Sequence, residues 1–176
     1  MIKKIKLYNL LEIYQLIKVS IGERLIASVP SGLRRTHHII DSLYLNEVRI
    51  FKDKKGLILK NKVNDTPCKI SINKNSSDAL VFKQIMIEQE YQFLIDLFKK
   101  HKINLTNMID AGSNIGLTSI YIKAYFPKTK IIALEPASNT FKRMNSNFKL
   151  NNLTNVTALK MGIWGHSTFL KPDTSF

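Results

Sequence analysis

Residues 108 to 116 read Met-Ile-Asp-Ala-Gly-Ser-Asn-Ile-Gly, and no other stretch limits the fold so sharply. Met108 and Ile109 suit the end of a buried strand, Gly112 and Gly116 permit a tight backbone turn, and Ile115 opens a helical pattern with Leu117, Ile120, Tyr121 and Ala124 on one face. The order strand, glycine turn, helix is that of the nucleotide-facing turn of a Rossmann-type sheet. A second apolar run, Lys130 to Leu134, ends in Glu135, about 25 residues after Asp110. That is close to the ~20 expected where a carboxylate takes the two hydroxyls of an adenosine ribose. An Asp-Gly pair after a strand is common turn chemistry by itself. The strand before it, the helix after it and the second strand ending in Glu135-Pro136 give it its meaning.

The glycine spacing separates the candidate cofactors. A dinucleotide presses its pyrophosphate against a helix N-terminus and favours G-x-G-x-x-G, so that nothing blocks the phosphate oxygens. This chain has D-x-G-x-x-x-G, with Ser113 and Asn114 where a pyrophosphate needs glycine or empty space, and with Asp110 placed to repel phosphate. S-adenosylmethionine carries no phosphate but does carry a sulfonium and an ammonium, for which a carboxylate at the strand end is an asset. The residues therefore favour S-adenosylmethionine as the cofactor.

The stretches SSDALVFKQIMIEQEY (76 to 91), MIDAGSNIGLTSIY (108 to 121), IIALEPASNTFKRMNSNFKLNN (131 to 152) and NVTALKMGIWG (155 to 165) resemble successive motifs of the FkbM family of S-adenosylmethionine-dependent methyltransferases. The resemblance rests on Asp110 to Gly116, on Glu135-Pro136, and on Asn147 with Asn151 as an N-x-x-x-N helix end. One departure is Ser113, where the family usually has alanine. The resemblance implies a Rossmann-like methyltransferase sheet in which Asp110, Ala111, Gly112, Ser113, Asn114 and Gly116 surround the methionine part of the cofactor. Glu135, followed by Pro136, would hold the ribose, and the end of the third strand, around Met161 and Gly162, would lie beside the adenine. Asp78, Glu90 and Tyr91 would help close the pocket. The residues themselves offer plainer roles: Asp78 as a helix N-cap after Ser76-Ser77, and Tyr91 as core with Ile87, Leu94 and Phe98 at helical spacing.

A third strand is expected near Val156 to Met161, and the strands the resemblance implies beyond it, one ending in an acidic motif, have no counterpart before Phe176. The expectation is thus the first half of a methyltransferase domain over residues 76–176, truncated at its C-terminus and inactive by itself although derived from an S-adenosylmethionine-dependent methyltransferase. The acceptor implied by the resemblance is a hydroxyl on a sugar, glycan or polyketide, a small-molecule or glycan substrate; no residue announces itself as the catalytic base. Two other readings stand beside it: a non-catalytic nucleoside-binding or interaction module, and an NAD-dependent oxidoreductase, which the glycine spacing disfavours.

Residues 1–75 are expected as a separate N-terminal region. Leu7, Leu10, Leu11, Tyr14 and Ile17 form an apolar face, with Ile5, Ile13 and Leu16 on a second side, predicting a helix over 3–28. Glu12, Gln15 and Lys18 interrupt it, so it does not reach the ~18 apolar residues of a membrane span. Lys3, Lys4, Lys6 and Lys18 suit contact with an anionic membrane surface, while docking on its own domain or a second subunit is the commoner use of such a face. Pro30-Ser31-Gly32 breaks the helix and Arg34-Arg35 starts a second segment toward Leu45. Glu47 to Phe51 and Leu57 to Lys60 flank Asp53-Lys54-Lys55-Gly56 as a hairpin, and Cys68, Ile70 and Ile72 alternate with Lys69 and Ser71 as a third strand. Two helical stretches are expected between Ala79 and His101.

Composition decides the remaining classes. With 176 residues, 44% hydrophobic and 23% charged, the chain suits one ordered domain of a cytoplasmic protein. Its single cysteine, Cys68, permits no internal disulfide and reads as a half-buried strand residue. No metal-ligand spacing links His37, His38, His101 and His166. The net charge of +14 raises nucleic acid as a partner, but lysine and arginine are spread along the whole chain without interleaved aromatics, which disfavours it.

Overall fold

The computed structural model describes Ile39, Leu43, Asn46 and residues 48–53, 56–73, 76–166 and 168. The helix expected over 3–28, the break at Pro30-Ser31-Gly32, the segment opening at Arg34-Arg35 and the pair His37-His38 lie outside the described residues.

The expected β unit is an antiparallel meander of β1 (Arg49–Asp53), β2 (Gly56–Val63) and β3 (Thr66–Ile72). β2 runs three residues past Lys60, because Asn64 and Asp65 both adopt positive φ (49° and 58°) and close a two-residue hairpin that pairs Val63 with Thr66. Asn and Asp are the non-glycine residues that enter this conformation most readily, and the resulting twist matches that of the strands. Ile50, Leu59 and Ile70 oppose one another on the buried face, as do Leu57 and Ile72. On the solvent face Arg49, Lys60 and Lys69 stand in one row across the three strands. Directly opposed like charges disfavour pairing, and Lys60 Nζ sits 4.3 Å from the centre of the Phe51 ring, which takes up part of its charge.

Cys68 is buried rather than half-buried, at 4% exposure. Burial pushes its thiol up to about 11, against a smaller opposing backbone hydrogen bond from Asn61. The native protein should therefore resist alkylation at pH 8 and react only as fast as it unfolds, since the thiolate is the reactive form. The folded state keeps this proton to higher pH than the unfolded chain does, so the associated stability is complete below about pH 9 and is lost as pH rises toward 11. Melting curves of Cys68→Ala across that window should lack this part of the decline; an identical pH slope in the variant contradicts it.

After the meander, α1 (Asp78–Phe82) passes directly into a π-helical stretch, Lys83–Ile87, and together they bury Ala79, Phe82, Ile85 and Met86. Ser77, not Asp78, occupies the N-cap, and without a side-chain bond. Asp78 is the first helical residue; its Oδ2 accepts from the Asn73 N–H at 2.8 Å and pairs with Arg143 at 3.3 Å. α2 (Gln92–Lys100) follows, with Ile95 fully buried and Tyr91 packed against the core.

The second sheet is parallel, in the order β4 (Asn107–Ala111), β5 (Lys130–Leu134), β6 (Val156–Leu159), with α3 (Leu117–Tyr125) and α4 (Ser138–Leu150) as the crossovers. β6 ends at Leu159, two residues before the expected boundary at Met161. Ile131 and Ala133 are buried beneath the helices, together with the partly buried Met108, Val156 and Ala158. The opposite face carries Ile109 and Ile132, paired in register and 63% and 42% exposed, and β4 has no second neighbour among the described residues.

The crossover helices α3 and α4 lie against the meander. Asn64 Nδ2 donates to the Ala124 carbonyl at 2.9 Å, which ties the meander to α3, and the side chains of Asn147 and Asn151 tie it to α4. This explains why α3 departs from the one-sided pattern expected of it: Ser119, Ile122 and Lys123 are buried along with Leu117, Ile120 and Tyr121. Lys123 is accommodated because its ammonium donates to the Pro127 and Thr129 carbonyls at 2.6 and 2.9 Å, although burial lowers its pKa. Among the described residues no helix is long and apolar enough to cross a membrane.

Candidate functional site

The parallel sheet brings the carboxyl ends of β4 and β5 side by side, with Asp110 aligned with Ala133 and Ala111 with Leu134. Open α/β sheets bind ligands at these ends. The turn after β4 leans over β5: the N–H groups of Gly112 and Ser113 both donate to the Leu134 carbonyl, at 3.0 and 2.8 Å. The Asn114 N–H donates to Glu135 Oε2 at 3.1 Å, and the Gly116 N–H to the Ser113 carbonyl at 2.8 Å. Four amides of the turn are thus committed within the protein. A phosphate-binding loop leaves such groups pointing at its ligand, so this turn is not built as an anion cradle.

Glu135 is held from both sides. Oε1 accepts from the Ala137 N–H at 2.8 Å while Oε2 accepts from Asn114, and the residue is only 7% exposed. A carboxylate offers about four acceptor positions, so one on each oxygen stays available to a hydroxyl. Gly112 has φ +78°, and a Cβ placed on it meets nothing within 4 Å. The glycine there serves the backbone conformation and leaves the space in front of the turn open.

Asp110 faces inward. Its Oδ2 accepts from the Ser119 hydroxyl at 2.6 Å. Burial pushes its carboxyl above the ordinary range, opposed by hydrogen bonding from Ser119. The charged form is therefore the costly one, and a cation beside it would relieve that cost. Ser113, the departure from alanine, is buried and donates its hydroxyl to the Asp110 carbonyl at 2.6 Å, bracing the turn rather than projecting from it. Ala111 lies exposed at the end of β4, and Gly116 forms the N-cap of α3 with φ +86°.

At the far side, Gly162 lies next to Pro136: a Cβ on it would stand 3.8 Å from the proline ring, an ordinary contact. The end of the third strand thus adjoins the Glu135-Pro136 corner, and Met161 is half-exposed there. Asp78 is engaged by Asn73 and Arg143, while Glu90 is exposed with its N–H donated to the Gln84 carbonyl. Ser119 has one faint signal in sequence, a hydroxyl pair, Thr118-Ser119, inside an apolar helix. Among the described residues no three of His, Cys, Asp and Glu group as a metal site.

These features define a Rossmann-like α/β protein whose first glycine turn is flanked by two carboxylates and has its own amides already bonded. No family model matches the chain. A stretch of 82 residues is 38% identical to the protein named Methyltransferase sdnD of Sordaria araneosa, covering 42% of this chain and 32% of that protein. Another match, 39% identical over 56 residues, is to Methyltransferase 1 of Beauveria bassiana (strain ARSEF 2860), covering 32% of this chain and 22% of the relative. The chain therefore spans about a third or less of the curated relatives it matches. Among solved structures, Pyrococcus horikoshii TYW2 in complex with MeSAdo aligns with 76% of this chain and 51% of its own at 18% identity, with a TM-score of 0.39.

Proposed function

We propose that this chain carries the S-adenosylmethionine-binding part of a methyltransferase. The carrying observation is the turn itself: the amides of Gly112, Ser113, Asn114 and Gly116 are spent on Leu134, Glu135 and Ser113, and acids flank the turn. A cofactor with phosphates finds neither donors nor a favourable field there. One with a ribose and a cationic head finds a rigid carboxylate with acceptor positions left, an open approach over Gly112, and a buried acid that gains from a nearby positive charge. The names of the two curated relatives support the same reading.

Bound S-adenosylmethionine would supply an electrophilic methyl group. The chain's part is to fix the ribose at Glu135 and orient the methionine end along the turn from Asp110 to Asn114, a kind of positioning that can contribute ~7–11 kcal/mol to a two-reactant step. With the FkbM resemblance as its support, the proposed acceptor is a hydroxyl of a sugar, glycan or polyketide.

The test is a calorimetric titration of the protein with S-adenosylmethionine, S-adenosylhomocysteine and NAD, with Gly112→Asp as the control. Aspartate tolerates positive φ and its Cβ would meet nothing within 4 Å at this position, so the variant should fold while placing a carboxylate in the open approach. Saturable binding of the adenosyl ligands alone, lost in the control, is expected. Binding of NAD in their place would overturn the reading.

A further inference from the structure

Asn147 lies on α4, outside the strand ends, yet its side chain is fully buried and bonded to three backbone groups. Oδ1 accepts from the Ser71 N–H at 2.7 Å, and Nδ2 donates to the Ser71 carbonyl at 3.2 Å and the Ile115 carbonyl at 2.9 Å. The orientation of the amide follows from its partners, since an N–H can only donate and the two carbonyls can only accept. Ser71 belongs to β3, an edge strand among the described residues, and Ile115 lies between Asn114, whose N–H orients Glu135, and Gly116, which starts α3. One carboxamide therefore joins the meander to the turn.

One helical turn later, Asn151 repeats half of this arrangement. Its Oδ1 accepts from the Lys69 N–H at 2.9 Å and its Nδ2 donates to the Lys69 carbonyl at 2.8 Å, with a further bond to the Asn147 carbonyl at 2.7 Å. The two asparagines substitute for a neighbouring strand, satisfying alternate residues of an edge that would otherwise present unpaired groups. Only Asn147 also reaches the turn.

We propose that Asn147 is a positioning residue for the cofactor turn: by holding the Ile115 carbonyl against the β3 edge it fixes the geometry of Asn114 to Gly116, so the meander sets the shape of the ligand site. This rests on the function proposed above. Asn151 holds the same edge and is a matched control that leaves the turn alone.

The experiment compares Asn147→Asp and Asn151→Asp in the full chain. Aspartate keeps the acceptor for the strand N–H but faces carbonyls with an oxygen where the donor stood. Two quantities are read: hydrogen exchange of the Gly112, Ser113 and Gly116 amides in ligand-free protein, and the dissociation constant for S-adenosylhomocysteine. Asn147→Asp should lose protection across the turn and bind about tenfold or more weakly. Asn151→Asp should keep turn protection and stay within about twofold of the parent affinity, even where its melting temperature falls equally. Unchanged turn protection in Asn147→Asp, or an equal loss of affinity in both variants, overturns the proposal. If the parent protein binds no adenosyl ligand, the functional reading fails, while the exchange measurement still decides whether Asn147 holds the turn. Should Asn147→Asp not fold, Asn147→Ser, which leaves room for a bridging water, carries the same comparison.

Discussion

A Gly116→Ala protein is expected to be about 2–5 kcal/mol less stable than its parent, the largest loss from any single methyl group added at the site. Two costs combine. The backbone has φ +86°, where an L side chain is strained by about 1–2 kcal/mol, and the added Cβ would lie 2.4 Å from Phe148 Cε1 and 3.1 Å from Met144 Cγ. Met144 is fully buried and has nowhere to go, whereas Phe148 borders a surface depression of about 490 Å³ shared with Val156 and Ala158 and can yield partly into it. Gly112→Ala supplies the comparison, because φ is +78° there but no atom lies within 4 Å. It should lose only the strain of about 1–2 kcal/mol. Urea denaturation of both variants separates backbone from packing, and a Gly116→Ala protein as stable as Gly112→Ala would show that the contact with α4 is not tight.

The second large effect is on ligand affinity. Glu135→Ala should weaken S-adenosylhomocysteine binding by ~1–3 kcal/mol, roughly 5- to 150-fold. The substitution removes the acceptors proposed for the ribose hydroxyls and also releases the N–H groups of Asn114 and Ala137, so the turn keeps its bonds to the Leu134 carbonyl but loses its link through Asn114. Glu135→Gln separates these parts: the amide oxygen can still hold one N–H, but its NH₂ group opposes the other. Affinity should fall in both variants and further in Glu135→Ala. Calorimetry showing unchanged affinity in Glu135→Ala would remove the residue from the site.

Much of the parallel sheet is legible in the sequence. The strand Lys130–Leu134 falls on the expected residues, and the glycine turn connects a strand to a helix as its spacing implied. Such elements are readable because their signals are local: an apolar run, a glycine at a forced φ, an acid at the strand end. The meander was legible in its strands but not in its Asn64-Asp65 turn, whose residues resemble any polar loop. Ser71 alternates with Ile70 and Ile72 as a solvent-facing residue would, yet it is 9% exposed beneath Asn147, a partner that only the folded chain supplies.

The amino-acid sequence alone determined the βαβαβ order, the acids at the two strand ends and the positions where only glycine suits the backbone, since each depends on neighbours within a few residues. Tertiary structure decided that the turn amides are bonded within the protein, that Asp110 faces Ser119, and that Asn147 joins the Ser71 edge to Ile115 across 76 and 32 residues of chain. Those are contacts between distant segments, and a hydrogen-bonding side chain carries no mark in sequence of which distant partner the packing of helices against strands will bring within hydrogen-bond distance.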